Sequence, residues 1–251
     1  MHLRSVRSSK IYPHDDMYRV LDAHLQKLKE RTILAITSKI VSLCEGAFIP
    51  QNKMDKETLI KQEADLYLPP HPQAAHRFYL TLKHSLLIPS AGIDESNSDG
   101  AYYILYPRSP FESARKVWGY LRKRDNLQHL GVIITDSHTV PLRRGVRGCA
   151  LSWCGFEPLK NYVGTRDCFG KALCYTYRNN SDALAAAAVF MMGEGNEQTP
   201  FCLIEGLKDI LFCNYPPTEQ DKQSALISIE NDLYGPLLSY APWEKGCTSI
   251  K

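Results

Sequence analysis

The chain has 251 residues, 44% hydrophobic and 23% charged, with a net charge of +3. That length allows one large domain or two small ones with a substantial core, and the composition is ordinary for a soluble globular protein. The modest charge argues against bulk nucleic-acid binding, no apolar run approaches the ~20 residues of a membrane span, and polar, basic Met1 to Lys10 is no secretory signal, so a cytoplasmic protein without nucleic-acid or membrane partners is expected.

Eight cysteines are present, none paired as Cys-x-x-Cys. A structural zinc site is therefore not expected, and buried free thiols are the simplest account of residues such as Cys44 and Cys202.

Ile11-Tyr12-Pro13-His14 is an extended loop by its proline. Asp16 to Glu30 reads as an amphipathic helix capped by Asp15 or Asp16, with Met17, Val20, Leu21, His24, Leu25 and Leu28 on one face. On that face His24 reads as a packed core residue. Thr32 to Thr37 is a β-type run, and after Ser38-Lys39 the segment Ile40 to Gly46 fits a short helix ended by its glycine. A Ser-Lys pair between strand and helix can meet a phosphate through backbone N–H groups and an ammonium. On these residues alone, Ser38 as a plain N-cap is favoured.

Asp55 to Leu68 reads as a helix broken by Pro69-Pro70-His71-Pro72. Phe78, Leu80 and Leu82 alternate as in a strand, and Leu86-Leu87-Ile88 fits a second. Pro89 to Gly100 is a loop rich in small residues, carboxylates and amides. It is either a solvated turn or a source of hard oxygen ligands for Mg²⁺ or Mn²⁺, and its spacing is not that of an EF-hand. Ala101 to Tyr106 is a strand candidate. Ser109-Pro110-Phe111-Glu112 is a capping box, and Ala114, Val117, Trp118 and Leu121 continue the buried stripe of that helix. Arg122, Lys123 and Arg124 suit its negative C-terminal end.

Gly131 to Gly148 begins as a buried, β-branched strand with Asp136 and Ser137 at its carboxyl end, then turns at Pro141 into a segment carrying Arg143, Arg144 and Arg147. A carboxylate so placed is rigid and near solvent, a good position for a metal ion over a phosphate with guanidinium groups beside it. Taken alone, an Asp capping a turn next to solvated arginines is favoured. Ala150 to Phe156 is mixed apolar and small, and Pro158 to Lys171 is a long polar loop. An alanine-rich helix then starts at Ser181, runs over Ala183 to Met192 and ends at Gly193-Glu194-Gly195. Pro200 to Ile204 is a strand, and Glu219 to Leu233 a final helix. There is no Gly-x-x-x-x-Gly-Lys-Ser/Thr loop, no Gly-x-Gly-x-x-Gly and no Gly-x-Ser-x-Gly elbow.

Five of these stretches, in order, resemble one family. They are Thr37-Ser38-Lys39-Ile40-Val41-Ser42 with Glu45-Gly46; Ala91 to Asn97; Ile134-Thr135-Asp136-Ser137; Tyr162 to Gly170; and Met192-Gly193-Glu194 before Pro200. The chain resembles the CofE-like γ-glutamyl ligases, which add glutamate to the deazaflavin coenzyme F420 and have relatives assigned to folate metabolism. The resemblance runs from about Ser38 to Gly206, and more loosely from Ile11.

It implies an α+β fold with mixed sheets covered by helices, a ligase domain over 1–206, a C-terminal extension over 207–251 packed on it, and a homodimer. It implies that GTP phosphorylates an acceptor carboxylate and that the amine of L-glutamate attacks the acyl phosphate. Two divalent cations, Mg²⁺ or Mn²⁺, would serve each site, with K⁺ assisting. Carried over residue by residue, Asp94 and Asp136 would ligate the first metal, and Ser137 and Glu194 the second. Asn97, Ser38, Lys39, the loop of Ile11, Tyr12, Pro13 and His14, and the segment holding Met192, Gly193, Gly195 and Thr199 would line the nucleotide site.

Arg143, with Arg144 and Arg147, would hold the α-carboxylate of glutamate or lie on the surface. His138 would act as a base for the amine or order its loop. Leu43 departs from the family, which often has a lysine there. Ser137-His138-Thr139-Val140-Pro141-Leu142-Arg143 departs from its Thr-Gly-Arg-Pro-Trp-Arg-type run towards the folate-assigned branch, which tilts the expected acceptor to a folate. The deazaflavin precursor is the alternative acceptor, and a non-catalytic nucleotide-binding relative is the alternative class.

Overall fold

The computed structural model describes residues 1–73, 77–98 and 100–247. Asp99, the last carboxylate of the expected ligand loop, lies outside the described residues. The architecture is α+β, built on a central sheet in which His2–Val6 (β1), Phe201–Glu205 (β12), Thr32–Thr37 (β2), Leu130–His138 (β8) and Arg147–Cys154 (β9) lie side by side in that order. β2 and β8 are parallel, with Thr32 opposite Leu130 and Thr37 opposite Thr135; the other neighbours are antiparallel.

Alternation along these strands divides the core in two. Leu34, Ile36, Val132 and Ile134 face one side, where Met17–His24 (α1), Ser38–Glu45 (α2) and Pro110–Asp125 (α4) bring Leu21, Val41, Val117 and Leu121 against them. Ile33, Ala35 and Ile133 face the other, where Asn180–Met192 (α5) packs through Leu184, Ala185, Ala188 and Val189. Both faces are covered, which is why the strands read as near-continuous apolar runs. The alanines of α5 let it sit directly on β9: a Cβ at Gly148 would lie 2.5 Å from the Ala185 carbonyl.

A second layer surrounds the small sheet of Glu244–Lys245 (β13), Leu66–Leu68 (β4), Leu80–Lys83 (β5) and Leu86–Pro89 (β6), all antiparallel. Lys56–Glu63 (α3) precedes β4. Phe48–Pro50 (β3) pairs with Tyr102–Ile104 (β7), and Leu159–Asn161 (β10) with Tyr177–Asn179 (β11). Glu219–Ala225 (α6) and Gly235–Tyr240 (α7) complete the described elements. Among the described residues no helix is long and apolar enough to cross a membrane.

Several sequence expectations need correction. The helix expected over Asp16 to Glu30 stops at His24, because Leu25 turns extended while Leu25 and Leu28 still reach the core from an irregular segment. The helix expected to run to Leu68 stops at Glu63, because Tyr67 is taken into a strand. The final helix breaks at Leu226, which is extended, and resumes only at Gly235. No capping box forms at Ser109: its side chain makes no cap bond, and Glu112 is held by Arg115 at 2.6 Å. Such a box forms instead between Thr218 and Asp221. Arg122 and Arg124 do more than balance a helix dipole, since Arg122 stacks over Trp118 and Arg124 pairs with Asp22 and Asp125. Cys149, Cys154 and Cys202 are buried, but Cys168, Cys174 and Cys247 are exposed, so burial does not account for all the thiols.

Asp125 holds the irregular segment after α1 against the end of α4. Buried, it accepts the Leu28 N–H at 2.9 Å and pairs with Arg124 at 2.8 Å. Its removal would leave a backbone donor unsatisfied in the core and weaken a partly buried ion pair. Asp125→Ala is expected to lose about 2–3 kcal/mol of unfolding free energy in urea titration. Asp125→Asn, which keeps an acceptor for Leu28, is expected to lose less.

Candidate active site

Topology delivers four segments to one end of the central sheet. Parallel β2 and β8 end there, antiparallel β1 ends there, and β12 begins there. The residues after β1, after β2, at the end of β8 and before β12 therefore line one cleft of about 590 Å³. Ligands of open α/β sheets favour this position, outside the carboxyl ends of the parallel strands. A smaller cavity of about 130 Å³, lined by Ser38, Lys39, Asp94, Tyr106, Asp136 and Ser137, adjoins it.

Asp136 stands near the end of β8. Just before it the β8–β9 ladder shifts by one residue, between Ile134 and Thr135, with Leu151 the extra residue on β9. Such a bulge increases the local twist and re-aims the side chains that follow. Tyr106 donates its phenolic O–H to Asp136 Oδ2. Burial pushes the Asp136 carboxyl up to about 6, with the bonds from Tyr106 and the Ser137 backbone opposing. Burial, with Asp136 beside it, also keeps the Tyr106 phenol protonated.

Asp94 is fixed by a two-way backbone bridge to Ile104, at 3.0 and 2.8 Å. Its Oδ1 accepts the Ser96 N–H at 2.6 Å, and its Oδ2 meets the Lys39 ammonium at 2.6 Å. Burial alone would raise its pKa, but Lys39 and Ser96 together hold it below the ordinary carboxylate range. Ahead of it, Ser90, Ala91 and Gly92 all take left-handed backbone, costly for the first two. Buried bonds from Ser90 N–H to Tyr79 O and from Ala91 N–H to Thr81 Oγ1, both 2.8 Å, hold the turn.

Glu194 follows α5 immediately after Gly193, whose φ is +81°. Burial raises its pKa, while a hydrogen bond from the Ser137 hydroxyl and the Lys39 charge oppose that. The field of Asp94 reaches both Asp136 and Glu194, so the three acids from distant parts of the chain share one electrostatic environment. Three carboxylates and a hydroxyl form a hard oxygen donor set of the kind Mg²⁺ and Mn²⁺ prefer, and the Lys39 ammonium occupies a cation position on Asp94. As they stand, no three His, Cys, Asp or Glu side chains among the described residues are close enough to hold a metal ion together. Coordination would therefore require these acids to draw closer as well as Lys39 to leave Asp94.

The family model described as F420-0:Gamma-glutamyl ligase matches residues 5–206. The chain belongs to this family. It is 32% identical to the coenzyme F420:L-glutamate ligase of Methanopyrus kandleri over 217 residues, which cover 79% of this chain and 84% of that one. It is 29% identical to the protein of the same name from Methanosarcina barkeri, over 78% of this chain and 81% of the relative. With the Methanothermobacter thermautotrophicus protein the identity is 36%, over 53% of each chain.

In this ligase Ile11, Tyr12, Pro13, Lys39, Asn97, Met192, Gly193, Gly195 and Thr199 all line the large cleft. Ser38 is buried and reaches only the small cavity. His14 does not line the cleft: it packs edge-on against Phe48, with its ring beneath Gly46. His138 and Arg143 lie outside the cleft lining as well. Burial and Arg147 keep His138 neutral, but its Nε2 faces Arg147 Nε at 3.3 Å, so that nitrogen is engaged as an acceptor. Leu142 and Arg143 are exposed in the β8–β9 loop, Leu142 completely. Sequence reasoning missed Tyr106, the third tyrosine of the run Tyr102-Tyr103-Ile104-Leu105-Tyr106, which nothing in the sequence sets apart from the other two. It also missed Lys10, which lines the same cleft as Lys39 and neutral Leu43.

The raised Asp136 pKa has a stability consequence. The folded state binds this proton more tightly than the unfolded chain, whose ordinary value is 3.8, so the contribution is full below 3.8 and is lost as pH rises through about 6. In chelator, Asp136→Asn, which cannot ionise, is expected to melt above the wild type at pH 7.5. The gap should close towards pH 4; a gap independent of pH would contradict the assignment.

Proposed function

We propose that this protein is a nucleoside-triphosphate-dependent γ-glutamyl ligase that adds L-glutamate to a carboxylate of a deazaflavin acceptor of the F420 type. The observation that carries this reading is that Asp136 lines both a cleft large enough for a nucleotide, which it shares with Glu194, and the small cavity beside it, which it shares with Asp94. Family membership and the names of the relatives supply the acceptor class. In the first step an acceptor carboxylate oxygen attacks the γ-phosphorus of the nucleotide, GTP by the resemblance, and the diphosphate leaves. In the second the glutamate amine attacks the acyl carbon, phosphate leaves, and the amine proton passes to solvent or a base.

Asp94 and Asp136 would hold one divalent cation, and Ser137 and Glu194 a second. When bound, Mg²⁺ or Mn²⁺ supplies charge neutralisation at the phosphates, with K⁺ as a further candidate. Once free of Asp94, the Lys39 ammonium, which lines the cleft, would be available to a phosphate oxygen. Ile11 to Pro13 and Met192 to Thr199 form walls of the cleft in which the transfer would take place. His138 serves as a base only after Arg147 releases its Nε2. Arg143, exposed beside it, suits a substrate carboxylate. Phe190, Phe169 and Tyr175, 85%, 93% and 92% exposed, support a homodimer that covers them.

A folate acceptor is the second reading. It rests on the run Ser137 to Arg143, and the names of the relatives favour the deazaflavin over it.

The test is a mass-spectrometric assay with GTP or ATP, Mn²⁺, K⁺, L-glutamate and either the deazaflavin precursor or tetrahydrofolate. The expected result is a gain of one glutamyl unit on the deazaflavin; a gain on the folate alone would reverse the order of acceptors, and a gain on neither would overturn the ligase reading. Asp94→Asn and Asp136→Asn are each expected to lower ligation by at least ~10³-fold while the protein stays folded by circular dichroism.

A further inference from the structure

We propose that Tyr106 is a positioning residue that fixes the Asp136 carboxylate in the orientation needed to bind a divalent cation. This rests on the metal-dependent ligase reading above. Tyr106 follows β7, the strand that returns from the Asp94 loop, so the residue that orients one acid is anchored through the strand that anchors the other. Its ring is buried in the core face formed by Ile36, Ile134 and Leu151. Its hydroxyl emerges into the small cavity and donates to Asp136 Oδ2.

The ring has no alternative place. Gly92 lies against it so closely that a Cβ there would fall 2.2 Å from Tyr106 Cζ. The turn before Asp94 therefore carries a glycine where the phenol must pass. A carboxylate with one oxygen tied to a fixed donor cannot spin about its terminal bond, and Oδ1 is left as the oxygen not engaged by the phenol. The outer partners of metal-binding carboxylates act in this way, and their loss costs about 10–100-fold in metal affinity or activity.

The test is direct titration of nucleotide-free protein with Mn²⁺, followed by the electron paramagnetic resonance of the free ion. Tyr106→Phe keeps the ring and removes only the hydroxyl. It is expected to weaken Mn²⁺ binding by about 10-fold or more, with a melting temperature in chelator within a few degrees of wild type. Gly92→Ala keeps the hydroxyl but displaces the ring, and should weaken binding in the same direction. In the ligation assay the KM for Mn²⁺ should rise more than kcat falls, a split that a merely structural role would not produce. If the wild type binds Mn²⁺ and both variants bind it equally well, the positioning role is wrong and the ligase reading stands. If the wild type binds no Mn²⁺ with or without GTP, the metal-dependent ligase reading fails and the role of Tyr106 falls with it.

Discussion

The pairing of β2 with β8 sets the geometry of everything functional in this chain. These strands are 98 residues apart in sequence, measured from Thr32 to Leu130, yet they run parallel and in register to Thr37 and Thr135. The parallel pairing ends at Thr37 and Thr135, so the residues just past it, Lys39 after β2 and Asp136 near the end of β8, must occupy the same end of the sheet. Antiparallel pairing would have sent them to opposite poles. The pairing is held by burial on both faces, with Ile33, Leu34, Ile36, Ile133 and Ile134 completely buried. At about 25 cal/mol per Å² of apolar surface, such residues are the largest stabilising contribution available to the fold.

Against that stabilisation the cleft stores unfavourable electrostatics. Asp136 is held where its ionised form is disfavoured, Glu194 is likewise shifted upward, and both feel Asp94. Lys39 offsets part of this through its 2.6 Å contact with Asp94. The left-handed turn at Ser90 and Ala91 adds backbone strain beside the same carboxylates. Sites poised to bind cations and phosphates commonly hold such strain, kept in place by the packed structure around them.

Much of the fold was legible because buried strands announce themselves. Thr32 to Thr37 and the strand opening at Gly131 read correctly from their β-branched runs, and the α4 stripe of Ala114, Val117, Trp118 and Leu121 from its spacing. The errors cluster where apolar spacing continued without the helix that usually explains it. Leu25 and Leu28 are buried from an irregular segment because Asp125, almost a hundred residues away, captures the Leu28 N–H; no local pattern reports that bond. Tyr67 and Leu226 misled for the same reason. In the site, the acids were found through motif resemblance, and their surroundings were not. Tyr106 looked like a core residue, and in its ring it is one; only the three-dimensional position of Asp136 reveals what its hydroxyl does. His14 was carried into the cleft by its neighbours Ile11 to Pro13, but its positive φ turns it away towards Phe48.

Helix α5 touches the sheet through alanines, with the Ala185 carbonyl against the backbone of Gly148 and Ala188 fully enclosed. Leu184, Val189 and Met192 fill the core on either side of that close approach. The helix therefore sits at a height set by those alanines, and Glu194, two residues beyond its last residue Met192, takes its position from that height. Bulk gained anywhere along its inner stripe would lift the tip and change the spacing between Glu194 and Asp136, so the chemistry at one end of the rod limits which side chains its whole length can tolerate.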